Sequence, residues 1–200
     1  MRERVVADVS ALPTNAFGAR SVTWWGTAAY IVLEGTSFAL GIAVYLYLAE
    51  LAPQWPIGVP PPDLAPGSIL SGILLISILP NYLCDRWALR QDLSRVRMAM
   101  LVMCFFGLVP LLVRILEFRA LNVWWDTNAY GSILWTLLGL HTVHLLTDVV
   151  DTFVLTALMF TRHGRAPRRF DDVSDNAFYW YFVVLTWPPL YLLIYWVPRW

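Results

Sequence analysis

The sequence contains no lysine and few charged residues of any kind. Its 200 residues include 14 arginines and 14 acidic residues, so charged side chains make up 14% of the chain and the formal net charge is zero. Soluble domains carry about 25% charged residues. This shortage of charge, together with 58% apolar residues, excludes a soluble enzyme, a disordered chain and a basic nucleic-acid-binding protein. It indicates an integral membrane protein.

Cysteine is also scarce, and the usual enzyme motifs are missing. The two cysteines, Cys84 and Cys104, lie in or near apolar runs and form neither a disulfide framework nor a CxxC metal motif. There is no nucleophile elbow and no Gly-rich phosphate-binding loop. Residues 1–21 lack the apolar core of a secretory signal peptide, so we expect a retained cytoplasmic tail. No internal repeat supports a transporter built from inverted repeats.

Five apolar runs are each long enough to cross a bilayer as a helix, since a hydrocarbon core needs about 20 residues. Backbone groups cannot stay unpaired in lipid, so the sequence predicts an all-α bundle of five transmembrane helices within residues 22–200. We expect Asp175 to cap the last helix and Pro188-Pro189 to kink it. The predicted spans are 22–49, 67–83, 96–116, 131–161 and 178–197.

Arginine is unevenly distributed between the two ends of these spans. Eleven of the fourteen arginines fall on the side of the N-terminal tail, which predicts a cytoplasmic N-terminus and a C-terminus outside. The proline-rich loop 53–66 has no arginine, falls outside and is predicted to be a stiff, extended connector. Four arginines in the connection between the second and third spans are expected to contact lipid headgroups, namely Arg86, Arg90, Arg95 and Arg97.

A few ionisable residues fall at membrane depth. Glu34 lies near the middle of the first span, whereas His141, His144, Asp148 and Asp151 share one face of the fourth. An isolated ionisable group at this depth costs at least roughly 2.5–3.5 kcal/mol, so these side chains are expected to face the bundle interior and to pair.

Three interpretations of these polar residues stay open. The first is a buried hydrogen-bonded clasp, in which Glu34 joins His141 and His144 across two helices. The second is a role in moving or storing protons, with Asp148 and Asp151 taking part. The third is metal or haem ligation, although two histidines spaced i and i+3 cannot both be axial ligands of one haem.

The outer end of the third span carries a further charged group. Arg114, Glu117 and Arg119 lie within six positions of one another where the span ends. We expect them to form interfacial ion pairs.

Several short segments follow one another in a characteristic order. They are Leu33-Glu34-Gly35-Thr36-Ser37-Phe38, Arg114-Ile115-Leu116-Glu117-Phe118, Tyr130-Gly131-Ser132 with Gly139-Leu140-His141-Thr142-Val143-His144, and Phe178-Tyr179-Trp180-Tyr181-Phe182-Val183. In this order they resemble subunit III of the haem-copper cytochrome c oxidases, in the shorter five-span form of some bacteria. The sequence departs from the family pattern at Arg114 and Phe118, at Tyr181 and Val184, and at Asp148 and Asp151, where small or apolar residues are expected.

The resemblance implies a non-catalytic subunit of an oxidoreductase complex, a proton-pumping terminal oxidase in a bacterial inner membrane. Such a subunit has no haem or copper of its own, because these lie in partner subunits. It packs against catalytic subunit I and subunit II, binds phospholipid, and supports assembly and proton uptake for oxygen reduction. Nucleic acid is not an expected partner. The alternatives are an accessory subunit of a nitric-oxide reductase with this fold, an independent proton-conducting membrane protein and a small haem-binding membrane protein.

Overall fold

The computed structural model describes residues 22–200, which form five long helices. The helices are α1 (Val22–Leu51), α2 (Leu64–Leu89), α3 (Leu93–Arg119), α4 (Ala129–Met159) and α5 (Pro167–Tyr191). All five are long and apolar enough to cross a membrane, so the prediction of an all-α, five-helix membrane bundle is confirmed for these residues. The predicted tail 1–21 lies outside the described part of the chain.

Four of the helices form a closed ring, and the first helix packs against the outside of it. Helices α2, α3, α4 and α5 pack against one another in chain order, and α5 closes the ring by packing against α2. Helix α1 packs against α4 and α5. It buries only Glu34, Phe38 and Tyr45, so its attachment to the ring depends on few side chains.

The centre of the ring is rich in tryptophan. Trp180 and Trp187 on α5 are almost completely buried. Their indole nitrogens donate to Ser77 and Ser71 on α2 at 2.8 and 2.7 Å, respectively. Buried indole N–H groups need an acceptor, and in a membrane no water supplies one, so these serines fix the register between α2 and α5.

The helix boundaries differ from the predicted spans most clearly at α5. This helix begins at Pro167, eleven residues before the predicted start, and proline suits the first helical turn because it has no N–H to satisfy. Asp175 therefore lies inside α5 and is not its N-cap, contrary to the prediction. Hydropathy reports where a helix enters lipid, whereas the polar first turns of α5 precede that point.

The proline pair does not end the last helix. Helix α5 runs through Pro188 and Pro189 and continues as a π-helical turn, Leu192–Trp196, and a 3-10 turn, Val197–Arg199. The backbone N–H of Leu192 donates to the carbonyl groups of both prolines, so the backbone hydrogen bonding resumes directly after the proline pair.

The loop between α1 and α2, predicted to be a stiff, extended connector, packs onto the bundle. Its residue Trp55 donates to the Tyr45 hydroxyl at 2.9 Å and packs edge-on against the Tyr130 ring. Asn128 donates to the carbonyl of Ile57 at 3.0 Å. Proline restricts the backbone of this loop, and the half-buried tryptophan holds the loop against the bundle.

Because successive helices run in opposite directions, the arginines are concentrated at one end of the bundle. The α2–α3 and α4–α5 connections and the start of α1 lie at one end of the bundle, which we call the arginine-rich end. The loops between α1 and α2 and between α3 and α4 lie at the other, arginine-poor end. The grouping matches the sequence pattern, while the side of the membrane that each end faces stays a prediction.

We expect Gly131→Ala to destabilise the bundle and Gly139→Ala, in the same helix, to leave it unchanged or more stable. A Cβ at Gly131 would lie 2.2 Å from the carbonyl oxygen of Trp124, a backbone atom that cannot move aside without shifting the α3–α4 loop. A Cβ at Gly139 meets nothing within 4 Å, and alanine favours a helix by about 1 kcal/mol over glycine.

Thermal unfolding of the detergent-solubilised protein measures both variants. A fall in the midpoint for Gly131→Ala alone supports the close approach, and an equal effect of the two substitutions would contradict it.

Candidate functional site

Helix α3 carries a fully buried ion pair towards the arginine-poor end. The side chains of Arg114 and Glu117 are 1% and 0% exposed, and Nη1 donates to Oε2 at 2.5 Å. Tyr195, from the π-helical turn after α5, donates to the other carboxylate oxygen at 2.5 Å. The paired charges cancel, which is the condition under which a low-dielectric interior tolerates them.

This pair is an internal contact and not the interfacial one that the sequence predicts. Arg114 and Glu117 are three positions apart and share the inward face of α3, whereas Arg119 lies on the other side of the helix and is exposed. The Arg114–Glu117 pair therefore belongs to the core of the bundle.

His141 on α4 completes this first group. Arg114 Nη2 lies 2.7 Å from Nδ1 of the imidazole, and His141 Nε2 lies 3.0 Å from the carbonyl oxygen of Val183. A guanidinium only donates, so Nδ1 accepts and Nε2 carries the proton that it donates to Val183. These neighbours hold His141 neutral, in one tautomer, with both ring nitrogens occupied by protein partners.

Trp187 supplies the remaining contact of the buried guanidinium. The Arg114 Nε atom has no hydrogen-bond partner among the described residues, but the guanidinium carbon lies 4.5 Å from the centroid of the Trp187 ring. A cation over an indole face is attracted by the ring quadrupole, and more strongly where water is excluded. We call Arg114, Glu117, His141, Tyr195 and Trp187 the Arg114 group; it ties α3 to α4 and to the α5 segment.

A second group joins α1 to α4 and α5. Glu34 Oε1 lies 3.1 Å from His144 Nε2, and the Tyr179 hydroxyl donates to Glu34 Oε2 at 2.7 Å. The ring of Phe38 covers the imidazole, with 5.0 Å between the centroids. We call Glu34, His144 and Tyr179 the Glu34 group.

The neighbours of His144 fix the position of its ring proton. Nδ1 lies 2.5 Å from the carbonyl oxygen of Leu140, which only accepts, so Nδ1 is protonated. Nε2 approaches Glu34 closely, although not along a hydrogen-bond direction. The Glu34 carboxyl group therefore lies between the His144 ring and the Tyr179 hydroxyl group.

Asp148 and Asp151 on α4 share a single amide. Asn176 on α5 donates to one oxygen of each aspartate at 3.3 Å, and it accepts from the Thr152 hydroxyl at 3.2 Å. Asp148 is buried and Asp151 is exposed. Neither belongs to any of the four ion pairs within residues 22–200.

The four polar residues predicted on one face of α4 therefore separate into three environments. His141 contacts Arg114, His144 contacts Glu34, and the two aspartates contact Asn176. The structure thus brings Glu34 and His144 together but leaves His141 outside that contact.

A cavity of about 490 Å³ lies between α1, α4 and α5 at the arginine-rich end. Its polar lining includes Asp148, Asp151, Asn176 and Tyr179. Tyr179 belongs both to this lining and to the Glu34 group.

The four arginines expected at lipid headgroups lie near the arginine-rich end but differ in their contacts. Arg97 is half-buried, donates to the carbonyl of Met159 at 2.8 Å and lies over the Phe160 ring. Arg86, Arg90 and Arg95 are exposed. Arg97 thus fastens α3 to the end of α4. Arg95 pairs with Asp92 at 3.2 Å, and Arg86 donates to the Tyr82 hydroxyl at 3.0 Å.

Sequence reasoning missed two polar residues that shape these groups. Asn176 and Tyr179 lie three positions apart on α5, on the face turned towards α4. Polar residues repeating at helical spacing were the available signal. Asn176 lay outside the predicted span, and Tyr179 was grouped with the aromatic residues of the last helix.

Comparison with known proteins places these groups in a family context. A family model described as "Cytochrome c oxidase subunit III" matches residues 20–199. The chain is similar to cytochrome c oxidase subunit 3 of Artemia franciscana, at 26% identity over 86% of this chain and 68% of that protein. It is similar to the subunit 3 of Synechocystis sp., at 24% identity over 86% and 74% of the two chains. For Thermostichus vulcanus the identity is 24%, over 87% of both chains.

We expect Glu117→Gln to cost about 3–5 kcal/mol of stability, because it leaves the buried Arg114 charge without its counter-charge. The control is Glu50→Gln, which removes a carboxylate from an exposed position of α1. Thermal unfolding in detergent and the folded yield from membranes measure the loss. The double variant Arg114→Gln/Glu117→Gln should recover part of it. Equal stability of Glu117→Gln and Glu50→Gln would contradict the role of the pair.

Glu34→Ala should cost about 1–3 kcal/mol, because His144 Nε2 and the Tyr179 hydroxyl both lose their partner. Glu34→Gln keeps one acceptor oxygen and should lose less. The same unfolding assay compares the two variants, and unchanged stability and assembly of Glu34→Ala would rule out a clasp between α1 and the ring.

Proposed function

Because this chain belongs to the cytochrome c oxidase subunit III family and is a subunit III-like component of a haem-copper oxidase, we propose that it supports that complex without carrying redox centres. It is a multi-pass membrane protein of the respiratory chain and works in a complex with other oxidase subunits. In the proposal its partners are catalytic subunit I and subunit II, which hold the haem and the copper. The proposed location is a bacterial inner membrane, with the arginine-rich end in the cytoplasm.

The observation that carries the proposal is that groups of this chain contact both ring nitrogens of His141 and of His144. Both ring nitrogens of His141 are bonded to protein groups, and His144 is held between Leu140 and Glu34. Axial ligation of a haem would require breaking these contacts inside a water-free core. The histidines therefore suit helix packing better than ligation, which supports a structural role beside the redox subunits.

The surface of the arginine-rich end supports the lipid part of the proposal. Arg86, Arg90 and Arg95 are exposed beside apolar helix surface, where a cation meets the phosphate of a phospholipid headgroup. We propose that they hold anionic headgroups. Proton uptake, the remaining part of the proposal, is supported by the acidic cavity at the same end.

Gentle solubilisation followed by affinity purification of the tagged chain tests the assignment. We expect a haem-copper catalytic subunit to co-purify and to give a haem signal in the reduced-minus-oxidised spectrum. After the subunits are separated, this chain should retain neither haem nor copper. Mass spectrometry of the purified complex identifies the partners.

A chain that purifies alone, or that keeps its own haem, would contradict the proposal. Co-purification with a nitric-oxide reductase would instead assign the chain to that related enzyme. The control is the Glu117→Gln variant, whose loss of folding should remove the partner and the haem signal together.

A further inference from the structure

We propose that the cavity between α1, α4 and α5 is a water-filled inlet through which protons from the arginine-rich end exchange with the Glu34 group. The inference deepens the proposed role in proton uptake and rests on it. It assigns a route, an end point and a set of lining residues to that role.

The cavity reaches far into the membrane-spanning part of the bundle. On α4 its lining extends from Leu158 to Thr147, which at a rise of 1.5 Å per residue is a depth of about 16 Å. This is about half of a hydrocarbon core about 30 Å thick. Tyr179 is among the residues that line the cavity, and Glu34 lies one hydrogen bond beyond it.

The lining is chemically suited to water. On α1, Thr23, Thr27 and Tyr30 follow helical spacing and face the same space as Thr147 and Asn176. A volume of about 490 Å³ has room for several water molecules. The lining also includes apolar residues such as Val154 and Leu155, but its polar side chains supply the hydrogen-bond partners without which a cavity stays dry.

Asp148 is the buried residue of the cavity lining whose carboxyl group would be hydrated by this water. It is 2% exposed, lacks a counter-charge within 4 Å among the described residues, and has one long amide contact. A buried carboxyl at this depth needs a proton or hydration to be tolerated. The other charged groups around the cavity are Asp151 on α4 and Arg168, Arg169, Asp172 and Asp175 on α5.

Tyr179 connects the cavity to Glu34. Tyr179 is one of the residues that line the cavity, and its hydroxyl group donates to Glu34 Oε2 at 2.7 Å. In the exchange step a hydronium ion that has entered the cavity from the aqueous phase gives a proton to the Tyr179 oxygen while the Tyr179 hydroxyl proton moves to the Glu34 carboxylate. Water is left in the cavity and one proton on Glu34, and the reverse transfer returns that proton to the cavity.

Cysteine labelling in the intact oxidase complex tests the inlet. A thiol reacts with a charged, membrane-impermeant methanethiosulfonate reagent only where water lets it ionise. Thr147→Cys places a thiol at the inner end of the cavity. Leu146→Cys is the matched control, at the same depth but on an exposed apolar face of α4. Unsubstituted protein gives the background of the buried Cys84 and Cys104.

We expect Thr147→Cys to react at least tenfold faster than Leu146→Cys, and only when the reagent is added on the side of the arginine-rich end. Equal rates for the two variants, or reaction only from the opposite side, would overturn the inlet. If the labelling shows that the cavity is dry while the complex still contains its haem-copper subunit, the inlet is overturned and the proposed function is not. Failure to co-purify with that subunit overturns the proposed function, whatever the labelling shows.

Hydrogen–deuterium exchange tests the last step of the route. Infrared difference spectra of the complex report exchange of the proton in the Glu34 group, with Glu34→Gln used to assign the signal. We expect Tyr179→Phe to slow this exchange at least tenfold while Thr147→Cys labelling stays fast. Exchange that is as fast in Tyr179→Phe as in the unchanged protein would overturn the relay.

Discussion

The absence of water from a bilayer core governs how this bundle is held together. A charge in that medium is tolerated when an opposite charge or a proton cancels it. The Arg114 group meets this condition with an ion pair, and in the Glu34 group the carboxyl group lies against a histidine ring and a tyrosine hydroxyl group. Because each group draws its members from different helices, the need for neutrality also sets the arrangement of the helices. Helix α4 contributes a histidine to both groups and is therefore the common element of the bundle.

The sequence predicted the number of helices and the existence of a contact between Glu34 and the fourth helix. It did not predict which partner each of the two histidines contacts. His141 and His144 differ by three positions, which turns their side chains about 60° apart around the helix axis. That rotation is small enough to place them on one predicted face and large enough to aim them at different neighbours. Only the packing of α3 and α1 on opposite flanks of α4 decides that His141 contacts Arg114 and His144 contacts Glu34.

Two further features of the structure go beyond what local composition predicts. The predicted start of the last helix was late because hydropathy detects lipid-facing residues, and the first turns of α5 are polar. The loop before α2 was predicted to be stiff and extended because it is rich in proline, and the structure adds that Trp55 holds it against the bundle, between Tyr45 and Tyr130. Tyr130 lies far from Trp55 in the sequence, so local composition could not predict that contact.

The distance in sequence between Glu34 and its partners bears on how the protein is made. Tyr179 follows Glu34 by 145 residues, so α1 is synthesised long before the helices that neutralise its carboxyl group. Until α4 and α5 are synthesised, the Glu34 carboxyl group has neither of the partners that it contacts in the folded bundle, so α1 can take its final place only after the last two helices are present.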